Sequence, residues 1–360
     1  MHFYSIIIPT FNRRKFLSIA IEALCTQKFQ PDEYEILIVD NASTDETKEI
    51  VTRAKRRHRS HKIRYFYETV PGLLSGRHRG ALEAKGDILI FIDDDTEPNP
   101  MWLSAIKEAF NDEEIQLVGG KNLPKYETCP PEWLKYLWKH RSKMSTLASL
   151  SLLDNGDEVH EIDPIFVWGL NFSIRKATFF EVGGFHPDCI PKELQRYQGD
   201  GEFGLSMKLK SKGYKALYHP GAWVYHRIPK ERMTVSYFEE RQFYQGVCDS
   251  FSNIRKKGGL GKFEDVIKKK QFDRSQKGQW NLFTSVSLLK SAIKERIMSV
   301  FKKIWDLLFR FDIYKIKRRM GKAYKMGYRF HQNEAANNPL VVSWILKNDY
   351  LNYQLPDENL

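Results

Sequence analysis

The segment Asp87-Ile88-Leu89-Ile90-Phe91-Ile92 is apolar almost without a break and runs into Asp93-Asp94-Asp95. A strand without polar alternation has to be covered on both faces, the condition of a parallel sheet held between two helical layers. Acids placed directly after it lie at the carboxyl end of the sheet, where open α/β sheets take their ligands. Three adjacent carboxylates repel one another there and require a cation. Mg2+ or Mn2+, which takes one or two carboxylates together with phosphate oxygens, suits Asp93 and Asp95 across their one-residue gap. The competing reading is a solvated acidic turn in which Asp95 caps a following helix.

The rest of the N-terminal half repeats the same step. Phe3 to Ile8 is a short apolar run closed by Pro9-Thr10-Phe11-Asn12, and Arg13 to Lys28 has helical spacing through Phe16, Ile19, Ala20, Ala23 and Leu24. Glu35 to Val39 predicts a second strand, and Ser43-Thr44-Asp45-Glu46 has the form of a capping box opening the next helix. A third strand over Ile63 to Tyr67 and a third helix over Leu74 to Ala84 precede the acidic strand end. Such alternation predicts a mostly parallel sheet flanked by helices. Its ligand edge carries Pro9, Thr10 and Asn12, then Asp40, which can accept from a base or ribose, then the acid triplet with Asp94 at its centre. Arg77 and Arg79 stand in the glycine-punctuated run Gly72 to Gly80, where guanidinium groups can reach a diphosphate or a neighbouring acid.

Between Lys121 and Pro164 the periodicity weakens around Pro124, Pro130 and Pro131, predicting loops and short helices over the sheet edge. Strand character returns over Ile165 to Ile174, a helix is expected over Gly201 to Lys212, and short strands over Lys215 to Tyr218 and Trp223 to His226. Beyond Arg227 the chain turns helical and basic. The expected organisation is a catalytic domain over 1–229 and a mainly helical extension over 230–360. Within the extension, apolar residues recur at three- and four-residue steps over Leu282 to Phe311, the pattern of an amphipathic basic helix able to lie on an anionic bilayer.

The net charge of +12 implies an anionic partner without choosing among nucleic acid, bilayer and phosphorylated substrate. Cys25, Cys129, Cys189 and Cys248 contain no CxxC pair, which argues against a zinc ribbon or a disulfide framework and for a reducing compartment. Met1 to Pro9 lacks the charged start and apolar core of a signal peptide, and no run of about 18 apolar residues predicts a spanning helix. The expected location is cytoplasmic, with peripheral contact to the inner face of the cell membrane.

Four stretches in order, SIIIPTFNR, IVDNASTDET, GLLSGRHRGALEAKGDILIFIDDD and GDGEFGLSMKLKSKGYKALYHPGAWVYH, make the first 230 or so residues resemble a family 2 glycosyltransferase of the GT-A fold. The resemblance implies inverting transfer from a UDP-sugar or related nucleotide-diphosphate donor to a hydroxyl acceptor, in bacterial cell-surface polysaccharide or glycoconjugate synthesis. It places Asp40 near the base, Asp93 near the ribose and metal, and Asp95 on an Mn2+ or Mg2+ ion. Counting back from Lys208 and Gly213, the general base falls on Glu202, with Asp200 as the alternative, because Gly201 stands where the family often has an acid. His78 also departs from the pattern, standing where the family commonly has Asn. His226 matches a position that approaches the metal or diphosphate. Trp168, Gly169 and Asn171 match the segment that lines the acceptor side, Trp168 as a platform for a sugar ring or as plain core packing. The spacing of Arg232, Arg241 and Gly246 is similar to helical extensions of bacterial polysaccharide enzymes. The implied partners are a nucleotide sugar, a glycan or lipid-linked acceptor and an anionic membrane surface.

Two other functions compete. A sugar-phosphate nucleotidyltransferase shares the sheet and the acids but carries a glycine-rich loop after its first strand, which Pro9-Thr10-Phe11-Asn12 lacks. A nucleic-acid-binding protein would explain the positive charge, yet no such motif is present and a triple Asp repels phosphate. No nucleic acid is expected.

Overall fold

A computed structural model describes residues 2–258 and 292–356, with the backbone alone over 292–311. The N-terminal half runs β1 (Tyr4–Thr10), α1 (Arg14–Cys25), β2 (Tyr34–Asp40), α2 (Thr47–Arg57), β3 (Lys62–Tyr67), α3 (Leu73–Glu83), β4 (Ile88–Ile92), β5 (Thr96–Pro98), α4 (Trp102–Ala109) and β6 (Ile115–Gly119). It continues through β7 (Asn122–Tyr126), β8 (Lys139–Arg141), β9 (Met144–Leu147), β10 (Leu152–Asp154), β11 (His160–Ile162), β12 (Asn171–Arg175), α5 (Lys176–Glu181), α6 (Gly201–Ser211), β13 (Lys215–Tyr218) and β14 (Val224–Ile228). Helices α7 (Val235–Lys257), α8 (Ala292–Asn337) and α9 (Pro339–Ile345) follow.

Among the described residues the strands form two sheets. The larger has the order β11-β13-β6-β12-β4-β1-β2-β3, with β1 parallel to both β2 and β4, and β2 parallel to β3. β12 enters antiparallel between β4 and β6. The continuous apolar character of β1 has the expected cause. Tyr4, Ile6 and Ile8 pack with Leu17 and Ile21 of α1 on one face, while Ile7 joins Leu89, Phe91 and the α5–α6 layer on the other. This is the mixed α/β, GT-A-type architecture with a helical C-terminal region.

Three local expectations are corrected. Residues 121–164 hold the expected short helices, as 3-10 turns at Glu132–Leu137 and Ala148–Leu150, but strands replace the expected loops: β7 to β10 join β5 and β14 in the second sheet, order β5-β14-β7-β10-β9-β8. These strands are three to five residues long, too short to show alternation. The capping box does not form. Ser43 Oγ instead accepts from Asn12 N, and Asp45 Oδ1 accepts from Thr47 N at the start of α2. The strand expected over 165–174 begins only at Asn171, after a short 3-10 turn at Pro164–Phe166.

Beyond β14 the apolar side chains return to the same core. Phe251 and Ile254 of α7, Ala335 of α8, Trp344 and Ile345 of α9, and Tyr350 share a buried cluster with Ile7, Phe91 and Leu205. α7 and α8 approach at two glycines: a Cβ on Gly246 would lie 2.1 Å from Tyr324 O, and one on Gly327 1.9 Å from Phe243 O. The amphipathic pattern over 282–311 falls outside the described side chains. No helix among the described residues is long and apolar enough to cross a membrane.

Candidate active site

The carboxyl ends of β1, β2 and β4, the start of α6 and the start of α7 surround a cavity of about 600 Å3. Pro9, Thr10, Arg77, Asp93, Asp94, Glu202 and His226 line it, so the structure brings together expected donor, metal and base residues from five segments. Lining residues that sequence reasoning did not single out include Arg13, Ser149, Asp188 and Tyr237. Arg13 lay in plain view, inside the first matching stretch. Ser149 comes from the 3-10 turn Ala148–Leu150 between β9 and β10 of the second sheet, whose strands were themselves missed.

The acid triplet does not stand unneutralised, which corrects the argument that its charge alone demands a divalent ion. Arg13 Nη1 lies 2.9 Å from Asp94 Oδ1 and Nη2 2.6 Å from Asp95 Oδ2. Arg232 Nη1 lies 3.0 Å from the same Asp95 oxygen, and Arg77 Nη2 3.3 Å from Asp93 Oδ1. Burial raises the carboxyls of Asp94 and Asp95 in principle, but the outcomes diverge. For Asp95, burial is outweighed by His226, Arg13 and Arg232, which hold it well below the ordinary carboxylate range. For Asp94, burial wins over Arg13, and the group is pushed up to about 7. Asp94 also accepts from Thr10 Oγ1 at 2.7 Å, so it ties β4 to the end of β1. Asp95 is followed by β5, and caps no helix.

A hard cation fits these residues on separate grounds. Asp95 Oδ1 is buried without a hydrogen-bond partner. In the neutral ring His226 Nδ1 donates to Leu150 O at 2.8 Å, which leaves the lone pair on Nε2, 3.4 Å from Asp95 Oδ2. That nitrogen accepts from Arg232 Nη1 at 2.9 Å. Asp93, Asp95 and His226 are therefore the residues that would hold Mn2+ or Mg2+.

Glu202 and Asp200, alternatives in the sequence, are separated by the backbone. Gly201 adopts φ +56°, a left-handed turn, and a Cβ there would lie 2.9 Å from Asp188 Oδ2. Glycine in place of the expected acid is thus a requirement of the turn. Asp200 turns inward, bonded to His186 Nδ1 at 2.6 Å and to Ser252 Oγ at 2.5 Å, and fastens α7 to the start of α6. Glu202 turns to the cavity, where its Oε1 accepts from Gly169 N at 3.3 Å and its Oε2 lies 3.7 Å from Arg77 Nη1. Burial raises the Glu202 carboxyl, Arg77 opposes this, and Asp188 adds to it.

Arg77 is the hinge of the site, buried and stacked on the Phe185 ring at 5.0 Å, with Asp93 on one side and Glu202 on the other. Arg79 does not join it. Two residues further round α3, it pairs with Glu83 at 3.0 Å and covers Phe66. Asp40 lies behind the cavity wall with both oxygens engaged, by Ser43 N at 2.8 Å and Tyr65 Oη at 2.7 Å. Asn12 Oδ1 accepts from Thr44 N and Asp45 N and shapes the loop after β1. Asn171 is buried between Trp102 Nε1 and Ala222 O, and Trp168 Nε1 donates to Ile165 O. His78, the other departure, accepts from Phe185 N at 2.9 Å and orders the turn before His186.

Residues 5–177 match the model of glycosyl transferase family 2. Residues 5–177 belong to that family. The family 2 domain is 31% identical to glycosyltransferase AglE of Haloferax volcanii over 118 residues, 33% of this chain and 38% of the relative. Chondroitin synthase of Escherichia coli is 27% identical over 252 residues, 62% of this chain and 34% of the relative. The chain thus spans little more than a third of either relative's length. A mannosyltransferase from Pyrobaculum calidifontis, solved with GDP-Man and Mn2+, superposes with a TM-score of 0.53 at 17% identity, covering 93% of this chain and 86% of the other. That likeness establishes the fold of the family 2 domain and of much of the helical region after it.

Proposed function

We propose that the chain is an inverting glycosyltransferase that moves a sugar from a nucleotide-diphosphate donor, a UDP-sugar foremost, to a hydroxyl of a glycan or lipid-linked acceptor. One observation carries the reading: Asp93 and Asp94 of the acid triplet and Glu202 open onto the same cavity, joined by the buried Arg77 between Asp93 and Glu202. The family supports sugar transfer, and relatives named for chondroitin synthesis and dolichyl phosphate glycans support a cell-surface polysaccharide or glycoconjugate product.

Glu202 serves as the base that takes the acceptor hydroxyl's proton as the oxygen attacks the anomeric carbon. Its raised pKa brings its proton affinity towards neutral pH, where a general base works best. Arg77 fixes both the base and Asp93, so the donor and acceptor sides keep one spacing. When bound, Mn2+ or Mg2+ supplies positive charge to the departing diphosphate. Thr10 and Arg13 hold the triplet in register with the end of β1. Residues 1–229 form the catalytic unit in this proposal. The helical residues after 230 carry Arg232 and Tyr237 into the cavity wall, and the lysines at 268–270 offer an anionic membrane an attachment.

The test is a panel of nucleotide sugars with Mn2+ or Mg2+, following nucleoside diphosphate release with and without acceptor. Glu202→Gln is expected to retain donor affinity while transfer falls by about 10²–10⁴-fold, and Asp95→Asn to lose the metal-dependent part of turnover. Full activity of the Glu202→Gln protein would remove the base from this site, and a donor affinity indifferent to metal would remove the ion.

A further inference from the structure

At the edge of the sheet opposite the cavity, α1 ends at Cys25 and the turn after α2 carries His58 and His61 into β3. One ligand atom from each of these three side chains lies within 4.8 Å of the other two. We propose that Cys25, His58 and His61 form a zinc-binding site that fastens the C-terminal ends of α1 and α2 together beneath the sheet.

The donor set selects the ion. A thiolate with two imidazoles favours zinc, whereas the all-oxygen acids of the cavity favour Mg2+ or Mn2+. Around a tetrahedral zinc, sulfur and nitrogen ligands stand roughly 3.3–3.8 Å apart, so closing this cluster takes an inward movement of about 1 Å. The surroundings prepare for it. Glu22, on the same turn of α1 as Cys25, has Oε1 3.0 Å from His58 Nε2, where a carboxylate either holds the ring or takes the fourth place on the ion. The His58 and His61 rings meet edge to face with centroids 5.8 Å apart, and Tyr34 packs edge-on against His61 at 5.9 Å. Both helices present their C-terminal ends, the negative ends of their dipoles, to the cluster. Cys25 is buried, while His58 and His61 are partly exposed, which leaves the ion a route of entry.

No motif spacing announces such a site, because the cysteine and the histidines come from separate helix ends that only the parallel sheet brings together. Its place at the amino ends of the strands separates it from donor chemistry, so the ion would act on stability.

The experiment uses the full chain, stripped of metal and supplied with excess Mg2+ to fill oxygen sites, then titrated with Co2+. Expected is a near-ultraviolet sulfur-to-cobalt charge-transfer band saturating at one equivalent, displaced by Zn2+ and absent from Cys25→Ser. His61→Gln should lower the affinity at least tenfold. Zn2+ should raise the Tm of the unmodified chain by about 5 °C and leave that of Cys25→Ser unchanged, while both variants keep nucleotide-sugar turnover. X-ray absorption of the unmodified chain with one zinc bound should show one sulfur in the first shell, a readout that needs no variant. Absence of the band and of sulfur coordination, or a band that persists in Cys25→Ser, would overturn the proposal and leave the cluster as core packing.

Discussion

Replacing Gly169 by Ala tests whether the Arg77 guanidinium is locked between donor and base. A Cβ at position 169 would stand 2.5 Å from Arg77 Nη2, 2.7 Å from Nη1 and 2.9 Å from Cζ. Comfortable carbon contacts lie at about 3.5–4.0 Å, so the guanidinium or the turn must retreat by about 1 Å. The guanidinium has little room, because it is only 3% exposed, stacked on Phe185 and engaged by Asp93 and Glu202. A displacement of about 1 Å in a positioning group costs on the order of 10²-fold in turnover, equivalent to about 2.7 kcal/mol of barrier. The alanine keeps the amide that Glu202 accepts from, so the base retains that bond. The assay is nucleoside diphosphate release at saturating donor, with urea unfolding run in parallel, where overpacking should cost about 1–3 kcal/mol. In an Arg77→Met background the same substitution should cost little further, because the clash has gone. Turnover of Gly169→Ala within about twofold of the parent, with unchanged stability, would refute the idea of a locked guanidinium.

Gly246→Ala places a methyl group 2.1 Å from the Tyr324 carbonyl oxygen, a backbone atom that cannot rotate aside. Separating α7 from α8 should cost at least about 1–3 kcal/mol in urea unfolding; a loss below about 0.5 kcal/mol would show that the helices do not depend on this approach. Acid sensitivity should appear well above the carboxylate range, because burial lowers His331 to about 4. The unfolded chain protonates this ring near pH 6.5, before the folded chain does. Its contribution is therefore complete above about pH 6.5 and is lost as pH falls towards 4, up to about 3 kcal/mol. Equilibrium unfolding of the parent and of His331→Gln between pH 7 and 4 measures it, and identical slopes would contradict the assignment.

The β-α alternation of the N-terminal half was legible because it depends on local periodicity. The apolar runs of β1, β2 and β4 were long enough to show burial on two faces, and the polar residues closing them fell on the ligand edge by construction. The same cue failed over 121–164, where strands of three to five residues carry too few positions for any period to show. It failed again within the site. Arg77 and Arg79 are two residues apart on α3, and only their opposite faces, one against Asp93 and the other against Glu83, distinguish them.

Alone, the sequence determined the doubly covered sheet, the edge at which a ligand would sit, and the residue types gathered there, since all three follow from the order of apolar and polar side chains along short segments. Tertiary structure decided which charge meets which. Arg13 and Arg232, far from the triplet in the chain, neutralise it, and the left-handed turn at Gly201 sends Asp200 into the core and Glu202 into the cavity. Ion pairing depends on distances of a few ångströms between residues that covalent neighbours do not constrain, and those distances exist only once the sheet has assembled.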